Sequence, residues 1–282
     1  MIWVKFIAFA AVIVVAAYFL AKYGDVIAVR TGLGGMFVGI LLMAGATSLP
    51  EVLTSISAVG QGTPNIAAGN LMGSNAFNML LLAVLDLLNR RERLLRKAAR
   101  RHALSGSLAI LLISLSLFFL LVDLDVKILW VGLDSMIIVA VYIMAVRLIS
   151  RDNQPQSTEA YEVPAGTPKL WVGIVGFLVA AGVLIVVTPN LVSTSNEIAV
   201  VTGLGATFVG TTLVALVTSL PELVTTISAI RIGASDMAIG NLFGSNMFNI
   251  FALGLTDFIY SGGRFLEVIY PYFALIGILG LL

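Results

Sequence analysis

Two stretches, GATSLPE at Gly45–Glu51 and LVTSLPE at Leu216–Glu222, set a proline beside a glutamate inside long apolar runs. Proline removes a backbone donor and crowds the preceding turn. A charged side chain at the centre of a bilayer costs roughly 2–3 kcal/mol or more. A chain that carries both features twice, in the same frame TSLPE, needs an opened backbone and a charge at that depth. Pro50 cannot donate to the carbonyl of Ala46, and Pro221 frees that of Val217. Irregular backbone at membrane depth is tolerated where it lines a cavity or is buried in protein. Thr47 and Glu51 are four residues apart and Ser48 and Glu51 three, so hydroxyl and carboxylate share a helix face; Thr218, Ser219 and Glu222 repeat the spacing.

The surrounding composition is that of a membrane protein. Of the 282 residues 59% are hydrophobic and 11% charged, with mean hydropathy +1.05, against about 45–50% apolar and about 25% charged in soluble domains. The expected fold class is an all-α polytopic membrane protein. A net charge of +1 gives no reason to expect nucleic acid, and the absence of cysteine excludes disulfides and thiolate metal sites. The opening stretch Ile2–Ala21 is long enough to span and lacks a basic leader and a small-residue cleavage site, so it reads as a retained helix.

Nine candidate spans lie near 2–22, 35–59, 66–88, 103–122, 127–149, 170–188, 204–230, 236–260 and 265–282. Two connections are long: the basic run Asn89–His102 and the polar linker Ser150–Lys169. Thirteen of the sixteen basic residues fall at alternate connections, and only Lys5, Lys127 and Arg264 fall on the other face. The positive-inside rule then puts the N-terminus outside and the connections 89–102 and 150–169 in the cytoplasm of a cell-membrane protein.

Shifting the chain by 171 residues aligns Thr31–Leu88 with Thr202–Ile259 without a gap, and 30 of 58 positions are identical. Five spans separate the copies, so they enter the membrane from opposite sides. Such an inverted repeat, with five helices per half and broken helices at the midplane, is a transporter architecture. The division reads 1–149 for the first half, 150–169 for the linker and 170–282 for the second half.

Each half also carries a second motif, GNLMGSNAFN (Gly69–Asn78) or GNLFGSNMFN (Gly240–Asn249). Ser74 with Asn78, and Ser245 with Asn249, are four residues apart; Gly69, Gly73, Gly240 and Gly244 permit close helix approach. Pooled, the motifs supply two carboxylates, hydroxyls, amide oxygens and freed carbonyls, while the single histidine, His102, sits in the basic run. Hard cations such as Ca²⁺ and Na⁺ take all-oxygen sets; Zn²⁺ or copper favour nitrogen or sulfur. Two carboxylates held close balance one Ca²⁺, and without a cation two such groups repel unless they share a proton. Asp86 and Asp257, eight residues beyond Asn78 and Asn249, and Asp134 read as structural acids near the interface.

At TSLPEVLTSISA with GNLMGSN, and TSLPELVTTISA with GNLFGSN, the sequence resembles the cation/calcium exchanger superfamily, specifically its prokaryotic sodium/calcium exchanger-like branch. The resemblance covers almost the whole chain. It implies an antiporter whose two repeats meet at a midplane ion site. By position, Glu51 and Glu222 would be the central ligands shared by Ca²⁺ and the counter-ion. Thr47 and Thr218 would offer backbone oxygen, and Ser48 and Ser219 would line an internal Na⁺ site. Ala44 with Ser74, and Ala215 with Ser245, would line flanking sites, with Asn78 and Asn249 as the last ligands of the second motifs. Members often carry aspartate where this chain has Asn249; the amide keeps an oxygen but removes one ionisable group, which leaves Na⁺ and H⁺ coupling both open. The family has ten helices where nine spans are counted here, so a tenth is expected to be absent, and the 150–169 linker is too short for a regulatory domain.

The expected function is therefore secondary-active exchange of Ca²⁺ for Na⁺ by alternating access, with the first and sixth spans as the moving pair and no enzymatic activity or cofactor. H⁺/Ca²⁺ exchange at the same glutamates is the alternative, and a passive cation channel ranks below it. Partners are the transported ions and the bilayer; oligomeric state is not set by the sequence, and a monomer is compatible with it.

Overall fold

The computed structural model describes residues 1–31, 44–88, 102–122, 124–152, 166–231 and 235–281. The basic run up to residue 101, most of the linker and the N-terminal part of the second span lie outside the described residues. The chain is helical, apart from one small hairpin among the described residues. The helices are α1 (Ile2–Thr31), α2 (Leu49–Gly60), α3 (Pro64–Leu88), α4 (Ala103–Val122), α5 (Leu133–Asp152) and α6 (Leu170–Thr202). They continue with α7 (Gly205–Thr218), α8 (Leu220–Arg231), α9 (Ser235–Ile259), α10 (Phe265–Val268) and α11 (Phe273–Leu279). Among the described residues six helices are long and apolar enough to cross a membrane, and α7 with α8, bent by 42°, make a seventh.

Several spans depart from the expected bounds for identifiable reasons. Helix α1 continues to Thr31, and α6 continues through Pro189 to Thr202. The polar residues that end the hydropathy run after Pro189 are kept helical by their own hydroxyls: Thr194 donates to Asn190 O at 2.7 Å and Ser195 to Leu191 O at 2.7 Å. Gly203, at φ 71°, stops α6 in the left-handed conformation that glycine adopts at no steric cost. The fifth span begins at Leu133 rather than 127, because two-residue strands β1 (Lys127–Ile128) and β2 (Val131–Gly132) form a hairpin first. The ninth span, expected over 265–282, is instead two short helices. Ile269 is extended (φ −89°, ψ 147°) and Pro271 follows, which breaks the helix between α10 and α11.

Burial separates a core from an outer pair. Over its most apolar window α9 is 67% buried, whereas α1 is 33% and α6 17% buried. Helices α1 and α6 lie along one another, and Arg30 at the end of α1 donates to the carbonyls of Pro168 (2.8 Å) and Thr167 at the start of α6. Inside, α3 packs against α7, and the glycines of the second motif make that contact possible. A Cβ on Gly73 would lie 2.5 Å from Thr211 O, and one on Gly69 2.8 Å from Thr211 N. At that contact α7 widens into a π-turn, Gly210–Val214. Gly244 of α9 gives the corresponding closeness to Ala44, whose Cβ would be 2.8 Å away.

The far end of α9 is tied by acids that read as structural from the sequence. Buried Asp257 accepts from Gly132 N (2.7 Å) and Phe265 N (2.5 Å). Buried Asp134 accepts from Arg264 Nη2 at 2.8 Å and from Ser135 N at 2.7 Å. Two of the three basic residues that ran against the charge pattern are thus paired: Arg264 with Asp134, and Lys127 with Glu267 at 3.5 Å. Removing one partner of a buried ion pair costs about 3–5 kcal/mol, whereas replacing both by apolar groups is often neutral. Asp134→Leu is therefore expected to lower the thermal unfolding temperature in detergent micelles markedly, and Asp134→Leu/Arg264→Leu to recover most of that loss.

Candidate functional site: a cage of crossed oxygens

The site forms where the two TSLPE segments break. Ser48, before α2, has φ −87° and ψ 5°; Ser219, between α7 and α8, has φ −86° and ψ 3°. The matched dihedrals show the same break in both copies, in the sparsely populated bridge region. Proline at the second position of α2 and α8 is tolerated because N–H groups in the first turn of a helix have no acceptor within that helix, so no bond is lost. Each break is followed one turn on by its glutamate, and both glutamates are buried.

The carboxylates are held by hydroxyls from both halves. Ser48 donates to Glu222 Oε1 at 3.0 Å, and Ser219 donates to Glu51 Oε1 at 3.2 Å. The second motifs add Ser245 to Glu222 Oε1 at 3.3 Å and a long contact of 3.5 Å from Ser74 to Glu51 Oε1. Every bond has its counterpart 171 residues away. In each glutamate the other oxygen, Oε2, is buried with no hydrogen-bond partner among the described residues.

The hairpin of α2 and α3 explains how Ser74 reaches Glu51. Its turn, Gln61–Thr63, is stitched by Thr63 Oγ1 to Ala58 O (2.9 Å) and uses Gly62 at φ 71°. Folding about that turn also brings Asn70 beside Ser55 and Glu51. Asn70 Nδ2 donates to Glu51 O (2.9 Å) and Ser55 Oγ (3.0 Å), and its Oδ1 accepts from Thr218 of the other half (2.9 Å). The equivalent Asn241 is bound differently. It donates to Thr225 Oγ1 at 3.2 Å, its Oδ1 has no partner among the described residues, and Thr47 turns to Ala44 O at 3.2 Å. The two halves share a plan but not every bond.

Behind the glutamates, α3 and α9 are joined by four asparagines. Asn78 Nδ2 donates to Asn246 Oδ1 at 2.9 Å, and Asn249 Nδ2 donates to Asn75 Oδ1 at 3.0 Å. The Oδ1 atoms of Asn78 and Asn249 are buried without a partner among the described residues.

All residues expected from the sequence are buried here: Glu51, Glu222, Thr47, Thr218, Ser48, Ser219, Ser74, Ser245, Asn78, Asn249, Ala44 and Ala215. The glutamates and four serines form two hydrogen-bonded trios, Glu222 with Ser48 and Ser245 and Glu51 with Ser219 and Ser74. The carbonyls of Ala44 and Ala215 already accept from Ser48 N (2.9 Å) and Ser219 N (3.0 Å). The sequence reading did not single out Asn70, Asn75 and Asn246. Their signal was available, because each lies within a duplicated motif and recurs at the 171-residue shift. Among the described residues there is no cluster of three or more His, Cys, Asp and Glu, and the buried unpartnered atoms of the two motif pairs include carboxylate and amide oxygens and the hydroxyls of Thr54 and Thr226.

Comparison with known proteins identifies the family. The chain is 29% identical over 277 residues to the sodium/calcium exchanger MaX1 of Methanosarcina acetivorans, covering 86% of this chain and 78% of that protein. It is 29% identical over 242 residues to the inner membrane protein YrbG of Escherichia coli strain K12, covering 82% and 71%. The fold matches that of the sodium-calcium exchanger NCX_Mj (TM-score 0.58, 21% identity, 98% of this chain and 87% of the other). It also matches the H⁺/Ca²⁺ exchanger CAX (TM-score 0.72, 16% identity, 92% and 68%). The family described as sodium/calcium exchanger protein matches over residues 1–150 and 172–282. The broken helices, the crossed carboxylates and this near-complete match together place the chain in the sodium/calcium exchanger family, as a multi-pass membrane cation antiporter and not an enzyme.

Proposed function

We propose that the protein exchanges Ca²⁺ for Na⁺ at the cage built by Glu51 and Glu222. The observation that carries this reading is the set of unpartnered buried oxygens, Oε2 of both glutamates and Oδ1 of Asn78 and Asn249. A buried acceptor without a donor costs about 1–3 kcal/mol, and more if charged. Four such atoms drawn from two symmetry-related motifs are what a hard cation would satisfy. Ser48, Ser219, Ser74 and Ser245 orient the carboxylates; Thr47, Thr218, Ala44 and Ala215 border the cage as further oxygen sources.

The exchange rule follows from charge. A cage holding two carboxylates without cations has no means of crossing an apolar barrier, whereas one loaded with Ca²⁺ or with monovalent ions is neutralised. Alternating access is supported by the unequal bonds of Asn70 and Asn241. One ties Glu51 to Thr218 across the halves and the other does not; exchanging the two arrangements would reverse which side is clamped. The sparsely buried pair α1 and α6 is the part free to slide. In this reading the halves are 1–149 and 170–282, joined by the linker 150–169, in a plasma membrane with the N-terminus outside and the connections 89–102 and 150–169 in the cytoplasm.

Proton coupling is the competing reading, favoured by one observation: Asn78 and Asn249 are both neutral, so the glutamates are the cage's only ionisable groups. A Na⁺ gradient imposed on proteoliposomes with pH clamped is expected to drive ⁴⁵Ca²⁺ uptake. Uptake driven by a pH gradient but not by Na⁺ would replace Na⁺ with H⁺ in the scheme, and uptake without any counter-ion would indicate a channel.

Glu51→Gln and Glu222→Gln each remove one charge while keeping the shape and the hydrogen-bond acceptor. Each is expected to lower Ca²⁺ flux by at least about ten-fold, the factor for 1.4 kcal/mol, with normal insertion by membrane fractionation. Wild-type flux in either variant would refute the paired-glutamate cage.

A further inference from the structure

We infer that Asn75 and Asn246 are positioning residues: they decide which end of the Asn78 and Asn249 amides faces the cage, and so how many oxygens it offers a cation. This rests on the antiport site proposed above and extends it to residues outside the cage.

A primary amide has two ends of nearly equal size and opposite polarity, an oxygen that accepts and an NH₂ that donates. Turned one way, Asn78 offers a cation an oxygen; turned the other way, it offers two N–H groups that repel it. Packing alone discriminates poorly between the two, because the shapes are almost the same. A hydrogen bond at the far end does discriminate. Asn246 Oδ1 takes the NH₂ of Asn78, and Asn75 Oδ1 takes the NH₂ of Asn249. Both amides are therefore held by their nitrogens, with Oδ1 left over, fully buried.

The positioning residues are not equally anchored. Asn75 Nδ2 donates to the backbone carbonyl of Asn246 at 3.4 Å, which turns its Oδ1 toward Asn249. Asn246 Nδ2 has no partner among the described residues and borders a cavity of about 180 Å³ lined by Met79, Leu82, Ala109 and Phe243. Asn75 and Asn246 each sit three residues before the asparagine of their own helix and contact the one of the opposite helix. The contact pattern is therefore reciprocal, and neither half can orient its own ligand amide.

The test exploits the fact that aspartate has oxygen at both ends and needs no orienting partner. Asn246→Leu keeps the branched heavy-atom outline and removes the acceptor. It is expected to raise the KM for Ca²⁺ in proteoliposome flux by about ten-fold, the upper end of the scale for a hydrogen bond between neutral groups. In the Asn78→Asp background the same Asn246→Leu change is expected to alter KM by less than about three-fold, so the two substitutions are coupled and not additive. Asn75→Leu with Asn249→Asp forms the mirror cycle, available if one set of variants fails to fold. A purely structural role would instead lower thermal stability equally in both backgrounds and leave KM unchanged. Additive effects in both cycles, or an unchanged KM in Asn246→Leu and Asn75→Leu, would overturn the inference while leaving the glutamate cage intact. Absence of Ca²⁺ flux in the wild type, or its survival in Glu51→Gln, would overturn the cage itself and the inference with it.

Discussion

The structure depends on one exchange of hydrogen bonds: the serine at each helix break donates to the glutamate of the other half. A carboxylate at membrane depth is tolerable only when its lone pairs are met by fixed dipoles, since no bulk water is present to do so. Ser48 and Ser219 meet that need reciprocally, at 3.0 and 3.2 Å. Neither half is complete without the other. The bonds that hold the halves together are also the bonds that orient the charged groups, so fold and site are a single constraint.

Close packing makes that exchange geometrically possible. Hydroxyls reach carboxylates across the interface only because the backbones of α3 and α7 approach to a distance at which Gly69 and Gly73 leave no room for a Cβ. The π-turn at Gly210–Val214 sits at this contact. In membranes small residues, dispersion and interhelical hydrogen bonds drive association, because lipid tails are as apolar as leucine. The buried α9 gathers these contacts at its middle. At its far end Asp257 and the Asp134–Arg264 pair close the second half with ordinary structural chemistry. Asp257 and the Asp134–Arg264 pair thus serve packing, whereas the matched glutamates lie buried just after the helix breaks.

Symmetry is strict in the carboxylate contacts and relaxed around them. Ser48 and Ser219, Ser74 and Ser245, and the bonds Asn78–Asn246 and Asn249–Asn75 match across the halves, whereas Asn70 and Asn241 do not.

Much of this was legible in the sequence because it is local. A proline lacks its donor wherever the chain goes, although α6 runs on through Pro189, and residues three and four apart share a face. The 171-residue identity therefore forecast two equal breaks with their glutamates and serines. Hydropathy was a poorer guide to helix ends: polar residues in α6 stayed helical by bonding their own backbone, while an apolar run around Pro271 did not. What the sequence could not contain was which hydroxyl serves which carboxylate. Ser48 lies three residues from Glu51, yet it donates to Glu222, 174 positions away. Asn75 and Asn246 were not singled out by any spacing, because the crossing of α3 and α9 is what pairs Asn75 with Asn249 and Asn246 with Asn78. Residue types and spacings follow from covalent chemistry and helix geometry; the pairing across halves follows from where two glycine-lined surfaces meet, and only the tertiary structure decides that.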